Sequence, residues 1–274
     1  MTLHLRTWLL AAIVAVTALH HPFAQAGSQV APADLQVYQK FRAWIGSHPE
    51  ARGDYEALYR AELKSQGLDS AEIDRQLAVI KETGPRLEVE LWNRVLTSTT
   101  SSFNRKPNAF LVEMVKDVKP GAALDVGMGQ GRNAIYLAQQ GWAVTGFDPA
   151  DRAVAAAQEE ASRVGVKLTT LVKRDDEFEF KKDAWDLVVL SYVGVRGLTD
   201  RVFDTLKPGG LVVVEAFHKD ALKSGPIGGG VVWDNNELVR LFDRFRIVRY
   251  EDTDAVADFG LQQVRVVRLC AQKP

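Results

Sequence analysis

The chain has 274 residues, and its 34 Lys and Arg against 35 Asp and Glu leave a formal net charge of −1, with no basic run that would mark nucleic acid as a partner. Its 46% apolar content is enough to build the core of one α/β domain plus a small addition. The lone cysteine, Cys270, excludes an intrachain disulfide and reads as a small buried hydrophobe.

Arg6, the apolar run Trp8 to Leu19 and the small residues of Ala24-Gln25-Ala26 form a secretory-signal pattern over residues 1–26. The run is about 12 residues, too short to span a bilayer. The expectation is a cleaved signal, a periplasmic or secreted product and no stable membrane span after cleavage. A wrongly assigned N-terminus would leave the chain cytoplasmic.

Residues 27–103 read as a helical extension. Leu35, Tyr38, Phe41 and Ile45 share one face, and Tyr55, Leu58, Tyr59 and Leu63 another. A third helix carries Ile73, Leu77 and Ile80 and is expected to end near Gly84-Pro85; Leu87, Leu91 and Val95 suggest a fourth. The extension is either an addition packed beside the main domain or a lid over its active site. A polar loop, Thr97 to Lys106, then leads to a helix from Ala109 to Val118 with Asn108 as its N-cap.

Leu124-Asp125-Val126-Gly127-Met128-Gly129-Gln130-Gly131-Arg132-Asn133 is the most informative stretch. An apolar strand ends in a glycine turn, and a helix follows that carries Ile135, Leu137 and Ala138 and stops at Gly141. Backbone N–H groups at such a strand-to-helix turn face a ligand that no Cβ keeps away. Strands then alternate with helices. Strands are expected over 142–147, 167–172, 185–191 and 211–217, and helices over 150–164 and 197–206. The strands at 245–250 and 263–270 have no helix between them and suggest a terminal hairpin. The fold expected of residues 104–274 is therefore α/β, a Rossmann-like doubly wound, mostly parallel sheet of about seven strands with a C-terminal antiparallel hairpin.

The glycine stretch, Gly146-Phe147-Asp148, Trp185-Asp186-Leu187-Val188-Val189 and Leu206-Lys207-Pro208-Gly209-Gly210 occur in this order. Together they resemble the class I S-adenosylmethionine (SAM)-dependent methyltransferases, over roughly Asn104 to Cys270. The Gly131-Arg132-Asn133 continuation looks most like the tellurite-resistance/thiopurine small-molecule branch. Met128 departs from the family pattern, where many relatives carry a small or polar residue.

The resemblance implies SAM as cofactor. It places Gly127, Gly129, Gly131 and Asn133 in its binding loop, and an adenine-contacting acid after the third strand, where Asp175 and Asp176 compete. Phe178 is an alternative wall for the adenine. Ser191-Tyr192 would lie beside the transferable methyl. On charge grounds Asp125 suits a ligand with a cationic amino group and is awkward beside a pyrophosphate. Asp148, followed by Pro149, can accept from both ribose hydroxyls. A dinucleotide oxidoreductase would carry G-x-G-x-x-G, whereas the third glycine here comes one position early.

No catalytic residue is fixed by the sequence. Tyr192 and His218 are candidates, needed only if the acceptor arrives protonated. No clustered metal-ligand set is present, and the fourth strand lacks the Pro-Pro pattern of methyltransferases acting on exocyclic amines. The expected activity is methyl transfer to a small-molecule acceptor, with no nucleic-acid partner. The alternatives are an NAD(P)-dependent oxidoreductase and an exported non-catalytic module with this fold. Gly225-Pro226-Ile227-Gly228-Gly229-Gly230 is a candidate loop over the acceptor, with Trp233 beside it.

Overall fold

A five-stranded parallel run is the centre of the computed structural model, which describes residues 31–48, 55–100, 103–194, 196–224 and 231–274. The leader expected over 1–26 and the glycine loop at 225–230 lie outside the described residues. The strands are β1 (Ala122–Val126), β2 (Ala143–Asp148), β3 (Thr169–Val172), β4 (Trp185–Ser191), β5 (Leu206–His218), β6 (Val232–Trp233), β7 (Arg246–Val256) and β8 (Gln263–Gln272). Their order is β3-β2-β1-β4-β5-β8-β7, with the two-residue β6 paired in parallel to the end of β5. β8 runs antiparallel to both β5 and β7, so the terminal hairpin is present.

Side-chain alternation divides two cores across this sheet. Leu124, Val126, Val188, Leu190, Val212 and Val214 face Leu198 with Val202 of α7 (Thr199–Thr205), and Leu238 of α8 (Glu237–Leu241). Ala123, Leu187, Val189 and Val213 face Phe110, Leu111 and Val115 of α4 (Ala109–Val115) and Ala134 and Leu137 of α5 (Arg132–Gln139). Helix α6 (Asp151–Arg163) packs on β2 and β3. Because the chain leaves β1 toward β2 on one side and β4 lies on the other, a crevice opens beyond the carboxyl ends of β1 and β4.

Several boundaries differ from expectation: α4 stops at Val115 rather than Val118, and β7 runs on to Val256. The Lys207-to-Gly210 turn lies inside β5 as a bulge: Trp185 faces Leu206 while Leu187 already faces Leu211, and Gly209 takes φ +80°. The expected third and fourth N-terminal helices are one helix, α3 (Ser70–Thr97), which continues through Gly84-Pro85. An interior proline costs about 3 kcal/mol. Packing on both sides offsets it, since Ile73, Leu77, Ile80 and Leu87 join α1 (Pro32–Ser47) and α2 (Tyr55–Ser65) in one core. Buried Glu88 binds Tyr38 and Arg42, tying α1 to α3.

Candidate active site

The glycine turn is held by β2. The N–H groups of Gly127 and Met128 both donate to the Phe147 carbonyl, at 2.9 and 3.1 Å. Gly127 has φ +67°, and a Cβ there would sit 2.4 Å from Val193 Cγ1. Gly131, the N-cap of α5, has φ +73°, and its Cβ would meet that of Ala157 at 3.0 Å. A side chain would be strained at both positions. Met128 has room because Gly146 lies beneath it, where a Cβ would fall 2.3 Å from its sulfur. Its side chain is buried against Val154 and Ala157 of α6.

A cavity of about 670 Å³ opens at this turn. Asp125, Gly127, Gly129, Asn133 and Ser191 line it, and so do Met128, Arg132, Leu96, Phe103 and Phe259. Gly131, Asp148, Pro149, Asp175 and Asp176 are not on its wall.

Asp125 is only 2% exposed, and its Oδ2 has no hydrogen-bond partner. Burial pushes its pKa up to about 7, against the opposing pull of the Arg132 guanidinium and the Ala134 N–H. A buried carboxylate oxygen left unpaired at a cavity wall is costly, and a cationic ligand relieves that cost.

Asp148 sits at the end of β2 with both oxygens engaged. Oδ2 accepts from the Gly129 N–H at 2.9 Å and Oδ1 from the Ala150 N–H at 2.8 Å. Burial raises its pKa to about 6, and these two donors hold it below where burial alone would take it. Each oxygen keeps a second lone pair. Leu96, Phe103, Ala150 and Ala153 form an apolar cluster, with Trp92 and Phe259 packed on. The methyls of Leu96 lie 3.4 Å from where a Gly129 Cβ would be. The end of α3 therefore roofs Gly129, the amide donor to Asp148, and Leu96 also lines the cavity that holds Asp125.

Asn133 accepts the Asn108 backbone N–H at 2.9 Å, which pins the segment before α4 against α5. Asn108 caps α4 as expected, accepting from the Leu111 N–H. Pro149 is half-buried. Asp175 is buried, and Asp176 is exposed in an ion pair with Arg174 at 2.7 Å. Phe178 stacks on Phe147 at 4.3 Å in the core.

The two candidate bases are turned away from the cavity. Tyr192, at φ +57°, is buried; its hydroxyl donates to Glu215 Oε1 at 2.8 Å and accepts from the Asp258 N–H at 3.1 Å. Burial, with Glu215 and Asp258 adding to it, drives its pKa well above the usual phenol value. His218, the last residue of β5, is fully buried. Its Nδ1 lies 3.1 Å from the Asp220 N–H and its Nε2 faces Asn235 Oδ1 at 3.0 Å. Trp233, expected beside the acceptor, is fully buried under the Arg196 guanidinium.

The sequence did not reveal the far wall. Phe259 stacks on Phe103 at 5.6 Å, and Asp258 beside it pairs with Arg132 at 2.7 Å. Both come from the loop between β7 and β8, which nothing in the local pattern marks as part of a site.

Residues 123–210 match a family model described as a methyltransferase domain. Over this stretch the chain is similar to SAM-dependent methyltransferases. Over 194 residues it is 23% identical to the probable S-adenosyl-L-methionine-dependent methyltransferase TehB of Haemophilus influenzae, covering 61% of this chain and 67% of that protein. The crystal structure of H. influenzae TehB superposes with a TM-score of 0.51 at 18% identity, over 61% of this chain and 62% of the TehB chain, less than two thirds of it. The N-methyltransferase NodS of Bradyrhizobium japonicum WM9, solved with S-adenosyl-L-homocysteine, superposes with a TM-score of 0.54 at 16% identity, over 68% of this chain and 98% of NodS. These two likenesses are of fold. The unpaired Asp125 oxygen, with Gly127 and Gly131 at positive φ, fits a nucleoside ligand with an ammonium group.

Proposed function

We propose that the protein transfers the methyl group of SAM to a small-molecule acceptor. The observation that carries the reading is the unpaired Oδ2 of Asp125 on the cavity wall. Asp125 would hold the cofactor's ammonium group, and the turn at 127–131 would lie along its backbone. The free lone pairs of Asp148 would meet the ribose hydroxyls once the Leu96 roof moves aside. SAM supplies a methyl carbon already activated by its sulfonium. The protein's task is then to orient the acceptor and keep water out. Phe103, Phe259 and Leu96 supply the apolar wall for this, next to Ser191. Tyr192 and His218 stand apart from the cavity, so the acceptor is expected to enter already in its nucleophilic form. The roofing by α3 favours the lid reading of the N-terminal extension.

The near-neutral charge supports a small acceptor rather than a nucleic acid. Incubation with methyl-labelled SAM and a panel of small amines, thiols and oxyanions, beside RNA and protein substrates, tests this. Label in a small molecule is the expected result; label only in a macromolecule contradicts it. The signal pattern over 1–26 supports export, with cleavage after Ala26, which N-terminal sequencing of the native protein checks. Among the described residues no helix is long and apolar enough to cross a membrane.

A further inference from the structure

Asp258 gathers more of the cavity's frame than any residue of the glycine turn. It is 6% exposed and lies between β7 and β8. Its Oδ1 accepts from Asn104 Nδ2 at 2.8 Å, and its Oδ2 from Asn108 Nδ2 at 2.8 Å and Arg132 Nη2 at 2.7 Å. Its backbone carbonyl accepts from the Asn104 N–H at 2.6 Å. Its own N–H is anchored on the Tyr192 hydroxyl, which Glu215 and Arg268 hold in turn. A carboxylate with this many donors is held in place.

Arg132 is the first residue of α5, directly after the turn. Its guanidinium is drawn to one side by three acceptors: Asp258, the Lys106 carbonyl at 3.0 Å and Ser191 Oγ at 3.3 Å. Arg132 and Asp125 line the same cavity, and Arg132 is the cation that favours ionised Asp125. Released from these three acceptors, the guanidinium is drawn toward the buried carboxylate that shares its cavity and has an unpaired oxygen. The ammonium subsite would then be filled from within the protein.

We propose that Asp258 is a positioning residue that holds the Arg132 guanidinium off Asp125 and so keeps Asp125 Oδ2 open for the cofactor's ammonium group. The proposal rests on the reading of Asp125 as the ammonium acceptor. Asp258 acts through Arg132 and touches no cofactor. The β7–β8 loop thus regulates affinity at the opposite wall.

The test is a double-mutant cycle on SAM affinity, read by calorimetry on the full chain at pH 7.5, with thermal unfolding of each variant as the check on folding. Asp258→Asn is expected to weaken SAM binding about tenfold in the wild-type background and less than about twofold in an Arg132→Met background. Equal weakening in both backgrounds, or none in either, overturns the proposal. A second pair of variants leaves Asp258 untouched. Arg132→Lys keeps the charge but cannot span three acceptors, so it is expected to bind SAM about fivefold more weakly than Arg132→Met. Equal affinities of these two overturn the proposal even if Asp258→Asn does not fold. Failure of the wild-type chain to bind SAM overturns the Asp125 reading itself, together with what rests on it.

Discussion

The Gly129 N–H donates to Asp148 Oδ2 across 2.9 Å, so the acid that ends β2 fixes the middle of the glycine turn. Its second donor, the Ala150 N–H, lies at the entry to α6. Asp148 thus couples the cofactor loop to the next helix before any ligand arrives. Asp148→Ala removes both the acceptor for these amides and the proposed ribose contact. It should weaken SAM binding by about 1.5–3 kcal/mol, the range for losing hydrogen bonds to a charged group. Calorimetry on the folded variant checks this, and unchanged affinity rejects the ribose role.

The pKa of Asp125 is raised from an ordinary value near 3.8 to about 7, and that of Asp148 to about 6. The folded protein therefore holds these protons more tightly than the unfolded chain. Their stabilising contribution is complete below about pH 4 and is lost as pH rises through 6 to 7, an effect on the order of a few kcal/mol. Ligand-free protein should unfold at a progressively lower temperature across that window, and Asp125→Asn should flatten the slope. A cationic ligand reverses the preference by favouring the ionised form, so SAM should raise Tm more at pH 7.5 than at pH 6. An equal rise at both pH values would separate Asp125 from the ammonium.

Helix α6 has no side-chain cap of its own, because Ala150 stands at its N-cap. Asn93 of α3 supplies one: its Oδ1 accepts from the Arg152 N–H at 2.9 Å and its Nδ2 donates to Asp151 at 2.6 Å. Asn93→Ala should cost about 1 kcal/mol, the usual price of a lost cap, and speed hydrogen exchange at the α6 N-terminus. Unchanged exchange there would mean that α3 does not support the helix.

Leu96, on the next turn of α3, lies over Gly129 and packs with Trp92, Phe103 and Phe259. Leu96→Ala should quicken SAM association several-fold in stopped-flow measurements, because opening the roof precedes full entry of the nucleoside. An association rate equal to that of wild type would place the roof outside the entry path.

What the sequence disclosed follows from how local each signal is. The strand–turn–helix at 122–139 was legible because an apolar run, alternate glycines and a helical stripe are consecutive. Asp125 and Asp148 were legible as acids at strand ends. The continuity of α3 was hidden because Gly84-Pro85 is a local stop signal that packing on both sides overrides. The burial of Tyr192 depends on Glu215 and the Asp258 N–H, and that of His218 on Asn235; only the tertiary fold brings these partners in. The same holds for the Asp258–Arg132 wall, whose halves are separated in sequence by β2 to β7. Asp175 and Asp176 occupied the expected turn, but the chain directs neither to the cavity wall.

The account turns on the charge of the ligand that Asp125 meets. Calorimetry of the protein with SAM, S-adenosylhomocysteine and NAD, repeated on Asp125→Asn, tests this most directly. The account predicts binding of SAM and S-adenosylhomocysteine, no binding of NAD, and about tenfold weaker SAM binding in the variant. Binding of NAD alone, or SAM affinity unchanged by Asp125→Asn, would contradict it.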